Sequence, residues 1–190
     1  DIEDDDTLRE RVQLAPESFS VAGPRDAYKF FALTARSDII DVAVLSPTPC
    51  VVHILPLMEG GTLPTQTALD AIAAVCNADT VRPLTDQVTV MAPTAVNFTL
   101  AMTYTIANSD SASASSIQAA VAAAVATWVL WQKSKLGRDI NKAELIRLVK
   151  TAGAQDITAL TLSVSDMTIS DDQVAICTST SITFGGLVNG

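Results

Sequence analysis

His53 is the only histidine among the 190 residues, so any Ser-His-Asp or Cys-His chemistry has to run through it. It lies inside the β-rich run Val51-Val52-His53-Ile54-Leu55, on the face shared with Val51 and Leu55. That is the setting of a histidine that packs in a sheet. The three cysteines, Cys50, Cys76 and Cys177, are far apart, odd in number and without C-x-x-C spacing. They disfavour a disulfide framework and, beside one histidine, a zinc site. No strand-G-x-G-x-x-G-helix and no G-x-x-x-x-G-K-S/T run is present to cradle a phosphate, and Gly60-Gly61 and Gly185-Gly186 read as turns. Paired carboxylates remain a route to acid-base work, yet 21 acidic residues produce neighbours by chance. The expectation is no catalytic residue, no cofactor, no metal and no small-molecule substrate.

Composition points to assembly. Hydrophobic residues make up 48% of the chain and charged ones 17%, apolar for a free monomer and ordinary for a subunit covered by neighbours. A net charge of -9 supplies no basic stripe to neutralise phosphates, which argues against nucleic acid or an anionic membrane as partner. No run approaches the roughly 18 consecutive apolar residues of a membrane span, and no basic-then-apolar signal opens the chain. The chain reads as soluble and intracellular when made, and its start at Asp1 without methionine reads as a fragment of something longer.

The elements divide the chain into two halves, an N-terminal lobe over 1–92 with an acidic lead-in over 1–19, and a C-terminal lobe over 93–190. Asp1 to Asp6 lacks the ligand spacing and the glycine of a calcium loop, so it is expected to be a solvated acidic tail. Gly23 as N-cap and Pro24 as first helical residue predict a helix with Tyr28, Phe31, Ala32 and Ala35 on its buried face. Two β-rich runs, Ile39 to Leu45 and Val51 to Leu55, predict a hairpin, with Pro56 ending the second strand or placing it at a sheet edge. Leu69, Ile72, Ala73 and Cys76 mark another helix.

Strict alternation from Val96 to Ile106 gives the cleanest strand, one face apolar and one wet, which predicts an antiparallel sheet with helices on one side. A serine/alanine linker over 109–116 leads to a helix with Ile117, Val121, Ala124, Trp128 and Trp131 on one stripe, both tryptophans anchoring it to the sheet. Asn141 and Glu144 are spaced as a capping box, Gly153 is placed to end that helix, and strands follow near 157–164 and 174–184. The predicted class is α+β, two small lobes, each a mostly antiparallel sheet with helices packed on one side, the second in the order β-α-α-β-β. Tyr28 and Trp128 are the expected core anchors.

Between the halves runs Asp79-Thr80-Val81-Arg82-Pro83-Leu84-Thr85-Asp86. Pro83 stops the preceding helix, and Arg82 lies between Asp79 and Asp86, close enough for a turned backbone to bring their carboxylates onto one guanidinium. Asp79, Arg82, Pro83 and Asp86 are the expected hinge or clamp fixing the angle between the lobes.

The segment from Gln13 to Pro24 with Ala27-Tyr28 and Ala32-Leu33, then Asp41-Val42-Ala43-Val44 with Ser46-Pro47, then Asp79 to Asp86 with Val88-Thr89-Val90, then Lys135-Leu136-Gly137-Arg138-Asp139-Ile140, follow one another as ordered blocks. In that order they closely resemble the J-type baseplate proteins of contractile phage tails, from about Leu8 to the C-terminus. Cys50 departs from the pattern, because the family usually has glycine in that hairpin turn, and the family's N-terminal segment is missing. The resemblance implies a structural wedge subunit that assembles around a central hub and rearranges on contraction, with Gly137, Arg138 and Asp139 as a structural loop. It implies a virion tail baseplate location, host cytoplasm during assembly, and I-type and W-type wedge proteins and further copies of the chain as partners. Independent of it, the β-α-α-β-β order also admits a small-molecule-binding module on a ferredoxin-like sheet, and His53 a hydrolase.

Overall fold

The computed structural model describes residues 4–16, 24–164 and 168–189. The acidic opening is helix α1 (Asp5–Leu14) from Asp4 on, where a tail was expected. The Asp4 side chain caps it, accepting from the N–H groups of Asp6 and Thr7, while Asp5 and Asp6 sit in the first turn where the helix dipole favours anions. Helix α2 (Arg25–Ala35) follows with Pro24 as its N-cap, one position outside its expected place; Gly23 lies outside the described residues. Ala27, Tyr28, Ala32 and Leu33 are buried, with Phe31 and Ala35 packed at the edge of that core.

Strands β1 (Ile39–Leu45) and β2 (Val51–Met58) form the antiparallel hairpin, with a register irregularity between Ile39 and Asp41. Pro56 neither ends β2 nor disrupts it. It pairs with Val42, and β3 (Gln87–Val90) reaches only as far as Ile54 along β2, so Pro56 has no ladder on its other side. Helix α3 (Gln66–Cys76) is capped by Thr65 and buries Ala68, Ile72 and Cys76. Because α3 carries the chain back between β2 and β3, these two strands pair in parallel, and the sheet β1-β2-β3 is mixed.

The second sheet has the order β5-β4-β6, built from β4 (Thr94–Ala107), β5 (Asp156–Leu162) and β6 (Gln173–Val188). β4 and β5 are antiparallel. Thr178 bonds to Phe98 and a Cβ on Gly185 would meet Thr103 and Tyr104, so β6 runs in the same direction as β4. Each sheet therefore holds one antiparallel and one parallel ladder. Phe98, Leu100, Met102, Tyr104 and Ile106 point from β4 into the core, as the alternation required.

The expected linker is shorter than its composition indicated. A 3-10 turn occupies Asn108–Ser113 and helix α4 (Ala114–Gln132) starts at once. Its buried positions are Val121, Val125, Trp128 and Gln132, and Trp128 meets Phe98 edge to face with ring centroids 6.0 Å apart. Trp131 is exposed, contrary to the expectation that both tryptophans anchor the helix. Val121, Val125, Trp128 and Gln132 follow the helical repeat through the core, which turns position 131 outward. The stretch Asn108–Gln132 is long and apolar enough, by length and composition, to cross a membrane, although no unbroken apolar run marks it; here α4 packs on its own sheet and on α5. Helix α5 (Lys142–Thr151) begins at Asn141, whose side chain accepts the Glu144 N–H, and Gly153 with φ +106° follows its last turn.

Two compact units result. The first runs to Thr94 and takes in Ser134–Gly137 and Ser170–Val174; the second holds Ala95–Lys133, Arg138–Ile169 and Ala175–Gly190. The run 79–86 belongs to the first unit, between α3 and β3.

Candidate functional site

A carboxylate inside an apolar strand has to find donors, since burying it without them costs several kcal/mol. Asp41 does so within the first unit. Its Oδ1 accepts the Val42 N–H at 2.9 Å, its Oδ2 accepts the Leu136 N–H at 2.9 Å, and Lys29 Nζ lies 3.7 Å away. Lys29 also reaches Glu10 at 2.6 Å, so one ammonium ties α1, α2 and β1 together. Burial works against the charge on Lys29, but the bond and charge of Glu10 more than offset it and hold its pKa above the usual lysine value.

Next along the chain, Gly137 has φ +64° and donates to the main-chain carbonyl of Gln173 at 3.0 Å. A Cβ there would stand 2.8 Å from Asp171 Oδ1 and 3.3 Å from Asp171 Cα, so the position needs glycine for its conformation and for its neighbour. Asp41 was visible in the sequence only as part of a block. The usable signal was its type, a lone acid in the run Ile39 to Val44.

A second cluster joins the expected clamp to the expected anchor. Tyr28 is fully buried, and its hydroxyl donates to Asp86 Oδ2 at 2.8 Å. Burial first, and then the hydrogen bond and charge of Asp86, raise the phenol pKa well above its ordinary value. Arg82 Nη1 donates to the main-chain carbonyl of Asp86 at 2.7 Å. The guanidinium therefore holds the turn by its backbone, where the sequence pattern had placed it on a carboxylate, and Asp86 Oδ2 takes the Tyr28 hydroxyl. Arg82 Nε is buried without a partner, Pro83 is half-buried, and Asp79 is exposed.

The loop residues Arg138 and Asp139 lie in the second unit. The Arg138 guanidinium stacks 4.1 Å over the Trp131 ring and Nη1 donates to the Trp131 carbonyl, while Asp139 Oδ1 accepts the Ile169 N–H at 2.8 Å. Behind them Gln132, which nothing in the sequence marked out, is fully buried. Its amide donates to the carbonyls of Arg138 and Asp139, and its Oε1 accepts the Asn141 N–H. Trp128 Nε1 donates to the Asn141 carbonyl at 3.1 Å, so α4 holds the loop and the start of α5 by side-chain amide and indole.

These groups position backbone; none of them is arranged to react. His53 sits within β2 opposite Leu45 and Thr89, beside neither a carboxylate nor a serine in the ladder. Among the described residues no group of histidine, cysteine or acidic side chains is placed to hold a metal. The cleft around Arg25, Lys29, Asp41 and Lys135 is open and mixes these charged groups with Val42, Val44 and Leu45, whereas a small-molecule module calls for a closed apolar pocket.

Comparison with known proteins agrees with the structural character of these clusters. Residues 20–92 match the model of the Baseplate J-like central domain, and residues 96–184 that of the Baseplate J-like protein C-terminal domain. The chain is 29% identical over 187 residues to "Baseplate protein J" of Escherichia phage P2, covering 97% of this chain and 60% of that protein. It thus spans about 60% of the length of that relative. The fold resembles a chain in the six-fold symmetrised cryo-EM structure of the anti-feeding prophage baseplate, with a TM-score of 0.60 at 13% identity, over 92% of this chain and 40% of that one. With both domain models matched in order along most of its length, the chain belongs to the baseplate J-like family, a family of structural proteins of contractile tail baseplates and not of enzymes.

Proposed function

We propose that the chain is a wedge subunit of a contractile-tail baseplate, assembling around the central hub in the virion and rearranging when the baseplate opens. The observation that carries this reading is the ordered match to both J-like domains, from residue 20 to residue 184. The side-chain clusters support it, because Asp41, Tyr28, Asp86 and Gln132 bond to hold loops in place, as a subunit that transmits force requires. Asp79, Arg82, Pro83 and Asp86 act in this reading as a brace that keeps α3, the turn and β3 moving together. The partners are I-type and W-type wedge proteins and further copies of the chain, met first in the host cytoplasm during assembly.

Co-expression with candidate I-type and W-type proteins from the same tail cluster tests it. A stoichiometric complex on size exclusion is the expected result, and recovery of the chain without either of them overturns the wedge assignment. In the same assay Arg82→Ala weakens complex formation if the brace matters, and leaves it unchanged if it does not.

A further inference from the structure

Charge is distributed unevenly along this chain. Residues 133–150 carry six of the twelve cations, Lys133, Lys135, Arg138, Lys142, Arg147 and Lys150, but two of the 21 carboxylates, Asp139 and Glu144. That is +4 within a chain of -9, leaving the remainder at -13. The helix leading into this stretch has no charged residue from Ala114 to Gln132, and it ends with Leu130 56% and Trp131 38% exposed. Trp131, Arg138 and Lys142 line a cleft of about 590 Å³ in the second unit. An aromatic ring held under a guanidinium, beside a further cation, is the composition that concentrates binding energy at interfaces. Its complement is an apolar side chain flanked by carboxylates.

The other end of the same chain carries that complement. On α1, Asp5, Leu8 and Val12 fall at i, i+3 and i+7 and share one stripe. Asp5 is exposed, as are Leu8 at 40% and Val12 at 62%, a surface of acid and aliphatic groups that a lone helix does not need. An excess of negative charge over most of the chain keeps two copies apart except where one presents its basic segment.

We propose that α1 of one copy docks, through Asp5, Leu8 and Val12, on the Trp131, Arg138 and Lys142 cleft of a second copy. The contact is heterologous, each copy using its helix on one neighbour and its cleft on another, so that it propagates into a ring or a filament. The inference rests on the reading that copies of this chain assemble with one another.

Sedimentation velocity on the purified chain over a concentration series tests it. Self-association is expected, weakening between about 0.1 M and about 1 M salt as the Debye length falls from about 10 Å to about 3 Å. Val12→Lys and Lys142→Glu, both at sites outside the core, each weaken it by roughly tenfold or more while the thermal melt is unchanged. Asp5→Lys and Lys142→Glu fail to associate singly, and their equimolar mixture associates, because the reversed helix of one meets the reversed cleft of the other. A chain that stays monomeric throughout, a Val12→Lys variant that associates like the parent, or a mixture that stays monomeric overturns the proposal. Co-expression with the other wedge proteins reads a different complex, so either reading can fail without the other.

Discussion

The carboxylate of Asp41 accepts the backbone N–H of Leu136 at 2.9 Å, joining two residues 95 positions apart within one compact unit. Removing that acceptor leaves two buried N–H groups, of Val42 and Leu136, without partners. Asp41→Ala is therefore expected to cost about 3 kcal/mol, and Asp41→Asn less, since its amide oxygen still serves one of the two donors. Urea denaturation measures the loss. Hydrogen exchange at the Leu136 amide checks the cause, and unchanged protection there in Asp41→Ala would show that the bond does not hold that segment.

Cys50 has φ +62° in the turn between β1 and β2, a conformation that costs a residue with a Cβ about 1–2 kcal/mol. The Cys50 side chain is exposed, so its removal forfeits little packing. Cys50→Gly is expected to raise stability by roughly 1 kcal/mol after glycine's larger unfolded-state entropy is counted. Gly137→Ala moves the other way by at least about 1 kcal/mol, since the same left-handed backbone there is joined by the approach of Asp171. A thermal melt of the pair separates a strained turn from a relaxed one.

Tyr28 makes stability depend on alkaline pH. Its folded pKa is raised above the unfolded phenol value of about 10, so its contribution is complete below that pH and is lost as pH rises beyond it. Tyr28→Phe leaves Asp86 Oδ2 without its donor and is expected to cost about 1–2 kcal/mol at neutral pH. It also lessens the fall in stability above about pH 10, leaving the shares of Cys76, Cys177 and Tyr104, whose pKa values burial also raises. Chemical denaturation at neutral and alkaline pH, with and without the hydroxyl, gives both numbers. An equal alkaline loss in Tyr28→Phe would contradict the assignment.

The two tryptophans should respond oppositely. Trp128→Ala removes a fully buried ring that meets Phe98 and bonds to Asn141, at an expected cost of about 3–5 kcal/mol. Trp131→Ala removes a ring with an exposed face, and a cost below about 1 kcal/mol is expected from the lost stacking with Arg138. Fluorescence of the single-tryptophan variants reports which indole is solvated, and acrylamide should quench Trp131 alone.

Thiol labelling distinguishes the cysteines. Burial pushes the Cys76 thiol up to about 12, and Cys50 is exposed. Cys50 is expected to react in the native protein, and Cys76 at a rate set by unfolding. Fast modification of Cys76 in native conditions would contradict its placement in the core.

Much of this fold was readable without coordinates where the signal is local. Alternation from Val96 to Ile106 marked β4 and its inward face, and the spacing of Asn141 and Glu144 marked the start of α5; Cys50 stood out only as a departure from the family's glycine, and its φ of +62° came from the structure. The acidic lead-in was misread because its charge obscured a capped first turn, and Trp131 because a wide apolar stripe does not say which edge faces the core. Ordered blocks in the sequence were enough to indicate the family.

Only tertiary structure decided the rest. Period-2 patterning fixes which face of a strand is buried but carries no information on whether its neighbour runs parallel, so both mixed sheets were beyond it. A carboxylate, a guanidinium or an amide likewise shows in sequence only that it needs partners. That Asp41 takes Leu136, Arg82 the carbonyl of Asp86, and Gln132 three backbone groups of the loop after α4, depends on which donors the folded chain brings within about 3 Å.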